Sequence, residues 1–136
     1  MKELTEGSIS RVINGMISIR DFQESVNIQD GSVVLIVRSR SGFLRVIPIS
    51  GGSACHVRVS LDLTSFTSTS RMLYDTIREM DLRLLHSTGF CPFENVCIWE
   101  GYFLVKERSN IEEFIKWLRG LNVVLEIEIL PLMEKE

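Results

Sequence analysis

Beyond residue 54 the apolar and polar positions of this chain fall into clear periods. In CHVRVSLDL, residues 55–63, Cys55, Val57, Val59, Leu61 and Leu63 alternate with His56, Arg58, Ser60 and Asp62, the period of a strand with one buried face. In SRMLYDTIREMDLRLLHSTG, residues 70–89, the stripe Leu73, Ile77, Met80 and Leu84 predicts a helix carried past Leu84. STGFCPFEN then reads as a break, punctuated by Gly89 and Pro92. VCIWEGYFLVK, residues 96–106, reads as one strand, or as two strands with a bend at Gly101. SNIEEFIKWLRGL opens on Ser109 and Glu112, the spacing of a capping box. It carries Ile111, Phe114, Ile115 and Leu118 on one stripe and reaches Gly120, where a helix would stop. VVLEIEIL closes the pattern with Leu125, Ile127 and Ile129 inward and Glu126 and Glu128 outward.

The N-terminal third is less regular. Ile9, Val12, Ile13 and Met16 stand at helical spacing within residues 8–26, which predicts a helix there despite the cost of Gly15. QDG at 29–31 is a turn. SVVLIVRS and FLRVIPIS flank RSG, a hairpin with Gly42 at the position that needs positive φ and Pro48 on an edge arm. VVLIV has no polar alternation, so both of its faces are expected to be covered. SGG at 50–52 is a flexible joint. The expected organisation is a 1–52 extension followed by a 53–136 domain.

If the strand at 96–106 bends at Gly101, the order from residue 53 is βαββαβ. The expected fold class is therefore α+β. It is a ferredoxin-like antiparallel sheet with two helices on one face, plus an N-terminal helix and β-hairpin extension. In that topology the first and last strands are neighbours, which sets Arg58 opposite Glu126 or Glu128 as a cross-strand ion pair.

Composition narrows the function classes. A chain of 136 residues with net charge −3 is sized for one domain and is mildly acidic, which argues against a nucleic-acid partner. Glu100 before Gly101, and the adjacent Tyr102 and Phe103, also lack the pattern of an RNA-stacking strand. No apolar run approaches the roughly 20 residues of a bilayer span, and the N-terminus does not read as a signal peptide. The odd set Cys55, Cys91 and Cys97 has no disulfide-framework spacing, fits a reducing cytosol and sets the expected location as cytoplasmic. His86, Cys91 and Cys97 lack the spacing of a structural zinc site. Neither His56 nor His86 has an evident nucleophile, so no catalytic residue, metal or cofactor is expected.

Residues 54–130 resemble an ACT domain, the small regulatory module that commonly binds amino acids. The carriers are VRVSLDL, SRMLYDTIREMDLRLLHSTG, GYFLVK, IEEFIKWLRGL and VVLEIEIL. The resemblance implies side-by-side pairing into a homodimer or higher homo-oligomer. It also implies a ligand at the junction of the first strand and first helix. Family members usually place an Asp after that strand, which Asp62 matches, and then a Gly, which is absent between Asp62 and Gly89.

The junction here is LDLTSFTSTSRMLYD, where six of the seven residues Thr64–Ser70 bear hydroxyls and Arg71 follows. A helix N-terminus presents unpaired amides and a partial positive charge. A carboxylate could be held by Arg71 and by amides and hydroxyls of Thr67, Ser68, Thr69 and Ser70, with Asp62 taking an amino group. The plainer alternative is that Ser68, Thr69 or Ser70 caps the helix and Arg71 pairs with Asp75. The expected function is a regulatory domain sensing a small anionic metabolite or amino acid. Its rival is a protein-interaction or assembly module without a ligand.

Overall fold

The computed structural model describes residues 7–20, 23, 26–51, 53–62, 66–106 and 108–134, without the side chains of Phe66, Arg108 and Ser109. The chain divides into two compact units, 1–32 and 33–136.

In the first unit, none of the described residues of 8–26 is α-helical, which corrects the expected N-terminal helix. Ile13 and Met16 instead exchange two backbone hydrogen bonds of 2.9 Å around Asn14 and Gly15, whose φ angles are 53° and 75°. Asn-Gly is the pair that favours this tight reversal, because both central residues need positive φ. The turn outweighs the helical spacing, and Ile9, Val12, Ile13 and Met16 all stand exposed.

The second unit runs β1 (Val33–Arg38), β2 (Leu44–Ile49), β3 (Ser53–Asp62), α1 (Phe66–Glu79), β4 (Arg83–Phe93), β5 (Val96–Leu104), α2 (Arg108–Arg119) and β6 (Val124–Met133). It is α+β, with two helices and two antiparallel sheets. β1 and β2 form a hairpin, closed at Gly42 with φ of 98°. The other four strands stand in the order β4-β5-β3-β6, which is the split βαβ arrangement.

Two segments fold differently from their apolar pattern. The helix does not run past Leu84; it ends at Glu79. Asp81 turns left-handed at φ 53°, its N–H bonds Arg78 O at 3.1 Å, and the N–H of Leu82 bonds Ile77 O at 3.0 Å. These two bonds are a Schellman stop with Asp in the place Gly more often takes. Residues 83–93 then form β4, including the STGFCPF stretch expected to be a break. Leu84 still reaches the main core, but from β4; Leu85 takes the opposite face by ordinary alternation, and a register shift between Leu84 and His86 leaves His86 on that same face.

Consequently β5 does not bend at Gly101. The glycine is there for space: a Cβ at 101 would overlap Cη2 of Trp99 and lie 3.1 Å from Cε2 of Phe103. Cys91 and Cys97 form a disulfide across the β4–β5 hairpin, which corrects the expectation of unpaired cysteines. Only Cys55 is a free thiol.

The main core lies between the helices and one face of the four-stranded sheet. Val57, Val59 and Leu61 of β3, Leu73 of α1, Trp99 and Phe103 of β5, and Phe114 and Leu118 of α2 are fully buried. Each such side chain contributes on the order of 1.5–3 kcal/mol. Ile127 packs against this core as its spacing implied. Leu125 does not: the register shifts between Ser60 and Leu61, passes over it and leaves it 58% exposed. The capping box rests on the Ser109 side chain, outside the described residues.

The hairpin covers part of the opposite face. Leu35 and Val37 pack with Ala54, Leu85 and Leu104, while Ile36 on the outer side is 59% exposed. Only one face of VVLIV is therefore covered.

Two measurements test this description. Gly101→Ala overpacks the core beneath Trp99, and the cost of roughly 1–3 kcal/mol should lower Tm by several degrees in calorimetry. Thiol titration of the denatured, unreduced protein should find one reactive cysteine per chain; three would remove the disulfide.

Candidate functional site

The residues expected to bind a ligand lie at the end of β3 and in the first turns of α1. Asp62 closes β3, and its N–H bonds Val123 O at 2.9 Å. Asp62 is half-buried and has a further interaction partner. Residues 63–65, which include Thr64 and Ser65 of the hydroxyl tract, fall outside the described residues. Because α1 begins at Phe66, Thr67–Ser70 lie inside the helix and Arg71 sits more than one turn in. The orphan amides of a helix are its first few, so here they end at about Ser68, and those of Thr69 and Ser70 are taken into the helix.

The hydroxyl residues then separate by face. Thr69 is 3% exposed and heads the inward stripe continued by Leu73 and Ile77. Ser70 Oγ donates to Thr67 O at 3.0 Å, a local back-bond within the helix. Thr67 and Ser68 are exposed, and Ser68 is also engaged. Arg71 stands four and three residues after them, so it shares their face, and helical side chains lean toward the N-terminus. The structure therefore groups Thr67, Ser68 and Arg71 and places Thr69 in the core. Among the described residues Arg71 and Asp75 form no ion pair.

A second polar cluster occupies the sheet face opposite the helices, where the alternation of CHVRVSLDL and VVLEIEIL already places His56, Arg58 and Glu128 but not Glu100 or Tyr102. Alternation along β3 and β5 puts His56, Arg58, Glu100 and Tyr102 there, with His56 opposite Tyr102 and Arg58 opposite Glu100. Arg58 Nε donates to Glu100 Oε1 at 3.1 Å, and its Nη1 lies 3.6 Å from Glu128 Oε2, which realises the cross-strand pair expected from the topology. His56 Nε2 is 3.3 Å from Glu100 Oε1, yet makes no hydrogen bond: it is close but misaligned. The His56 ring stacks on Tyr102, with centroids 4.2 Å apart and planes 8° from parallel.

His86 of β4 meets the same ring edge-on at 6.0 Å, and its Nδ1 lies 2.9 Å from Nη1 of Arg45 on β2. Since a guanidinium only donates, that bond requires Nδ1 to be unprotonated. Burial and the Arg45 charge lower the His86 pKa from its ordinary 6.5, with Glu100 opposing them. Burial, followed by the Glu100 charge, raises that of Tyr102. The cluster joins the hairpin to the sheet and spends its charges internally. The signal that could have found it is the parity of Glu100 and Tyr102 along β5. Among the described residues no group of three His, Cys, Asp or Glu is placed to hold a metal ion.

With the topology on the page, the comparison with solved structures is direct. The solution structure of the C-terminal domain of the MgtC protein from Mycobacterium tuberculosis is similar over 65% of this chain and 96% of that one, with a TM-score of 0.52 and 13% identity. The ACT domain of GTP pyrophosphokinase from Chlorobium tepidum is similar over 59% of this chain and 100% of that one, with a TM-score of 0.50 and 12% identity. The fold is ACT-like. No family model and no curated protein matches the sequence, so the likeness is one of architecture. Among the described residues no helix is long and apolar enough to cross a membrane.

The His86 shift gives a signed expectation. A histidine whose folded pKa is depressed binds fewer protons folded than unfolded, so its contribution to stability is present above 6.5 and is lost as pH falls below it. Urea unfolding followed through that window should show stability falling toward acid. His86→Gln keeps an acceptor for Arg45 and cannot titrate, so it should flatten the fall.

Proposed function

We propose that this protein is a regulatory, small-molecule-binding domain rather than an enzyme. On this reading residues 53–136 form the ACT-like module and 1–52 an extension to it. The observation that carries the proposal is the β4-β5-β3-β6 sheet with α1 leaving β3 at Asp62. Its fold neighbours are the C-terminal domain of MgtC and the ACT domain of a GTP pyrophosphokinase, and the regulatory role is carried over from the ACT likeness. The ligand is a small anionic metabolite or amino acid bound at the β3–α1 junction. Arg71 takes its carboxylate, the exposed Thr67 and Ser68 and the first helical amides complete the cradle, and Asp62 receives an amino group. Ser70 borders the site through the Thr67 carbonyl, and Thr69 supports it from the core.

Regulation requires a second state, and a homodimer supplies it: a ligand shifts the balance between two dimer arrangements only through unequal affinity for them. β6 is an edge strand with Leu130 and Met133 exposed, the kind of surface on which a second copy can pair. The cytoplasm was the location expected from three unpaired cysteines, and the Cys91–Cys97 disulfide removes that support.

The test is a thermal-unfolding screen against the twenty amino acids and a set of phosphorylated metabolites. A ligand at a hundred times its Kd adds about 2.7 kcal/mol, a rise of several degrees. Arg71→Ala should abolish the shift while leaving the unliganded Tm within about a degree, because Arg71 is exposed. If no compound produces a shift, the ligand reading fails. The module is then one for protein assembly, and light scattering on the same sample reads its oligomeric state.

A further inference from the structure

A cleft of about 590 Å³ opens between α2 and the β3–β6 pair. Cys55 and Pro131 face each other across the ladder and line the cleft together with Ile111 and Ile115 of the helix. Ile111, Ile115 and Arg119 follow at i, i+4 and i+8 on one helical face. That face carries the apolar roof outward to a guanidinium at the rim. Glu112 also borders the cleft and has a partner of its own. Among the described residues Arg119 is exposed and enters no ion pair.

We propose that this cleft binds a small apolar carboxylic acid, its hydrocarbon part between Ile115 and the Cys55–Pro131 floor and its carboxylate on Arg119. A cavity of a few hundred Å³ with apolar walls and a few placed polar groups is the usual form of a small-molecule site. The guanidinium fork fits a carboxylate with two parallel hydrogen bonds. The apolar part gains from leaving water, while the carboxylate stays at the rim, where its desolvation is least costly. The site is separate from the β3–α1 junction and shares no residue with it.

Cys55 makes the site measurable, because it lines the cleft and is the free thiol. Burial raises its pKa, so labelling is run on the folded, unreduced full chain in mildly alkaline buffer. Iodoacetamide is the reagent, and octanoate or octan-1-ol, below micellar concentrations, is the probe. Octanoate should slow Cys55 labelling at lower concentration than octan-1-ol does. Arg119→Gln should raise the octanoate concentration needed by about tenfold, the scale of one charge-assisted contact, and leave the octan-1-ol response unchanged. Arg71→Ala should change neither, which separates this site from the one at the helix start.

If unliganded Cys55 resists the reagent, the methyl resonances of Ile115 and Ile129 report the same titration. Three results overturn the proposal: no response to octanoate, equal response to acid and alcohol, or octanoate binding that survives Arg119→Gln and is lost in Arg71→Ala.

Discussion

The indole of Trp99 lying over Gly101 is the contact on which the larger unit depends. Both residues sit on the helix-facing side of β5, and the missing Cβ at 101 gives the ring its place. From there a line of aromatic contacts crosses the layer. Trp99 meets Tyr74 of α1 at 6.3 Å and Phe103 at 6.3 Å; Phe103 meets Phe114 of α2 at 5.4 Å, and Phe114 meets Trp117 at 5.9 Å. The Trp99 N–H points to the Tyr74 hydroxyl at 3.4 Å, and that hydroxyl is paired with Ser87 on β4 at 2.9 Å. One glycine therefore fixes how both helices and the neighbouring strand seat against β5. Such close packing is what makes a core sensitive to a single added methyl group.

The two faces of the four-stranded sheet are held by different physics. The helical side is closed by apolar area and ring contacts. The other side is held by a graded arrangement: the small apolar cluster of Leu35, Val37, Ala54, Leu85 and Leu104, then a polar line from Arg45 through His86, Tyr102 and His56 to Glu100, Arg58 and Glu128. A polar line of this kind contributes modest stability for its size but specifies position, and here the position it specifies is that of the hairpin. The stack of His56 on Tyr102 occupies the ring face that a flat ligand would otherwise use.

Most of the architecture was legible because β3, α2 and β6 carry strong periods and few interruptions. What escaped had identifiable causes. The end of α1 is made by Asp81 in a left-handed conformation, whereas a reading tuned to Gly runs on into Leu84. The same error hid β4, whose Gly89 and Pro92 look like loop residues but fall in a strand with register shifts. With β4 hidden, Gly101 looks like the bend between two strands, whereas the glycine answers to Trp99. Near the N-terminus, Asn14-Gly15 is a stronger local signal than four apolar residues at helical spacing. At the candidate site, moving the helix start from about Ser70 back to Phe66 sorted the hydroxyl tract into exposed and buried members. Sequence alone could not do that, because Thr64–Ser70 offers capping residues at nearly every position.

That Asn14-Gly15 turn also carries a chemical liability. An asparagine amide carbon can be attacked by the backbone nitrogen of the next residue, releasing ammonia and forming a five-membered imide. Glycine presents the least obstruction to that attack, and the space around Gly15 is open. Hydrolysis of the imide leaves aspartate or isoaspartate, which adds one negative charge and, in the second case, a methylene to the main chain. The reversal that pairs Ile13 with Met16 is therefore also chemically open to deamidation, which a sample's charge heterogeneity would record.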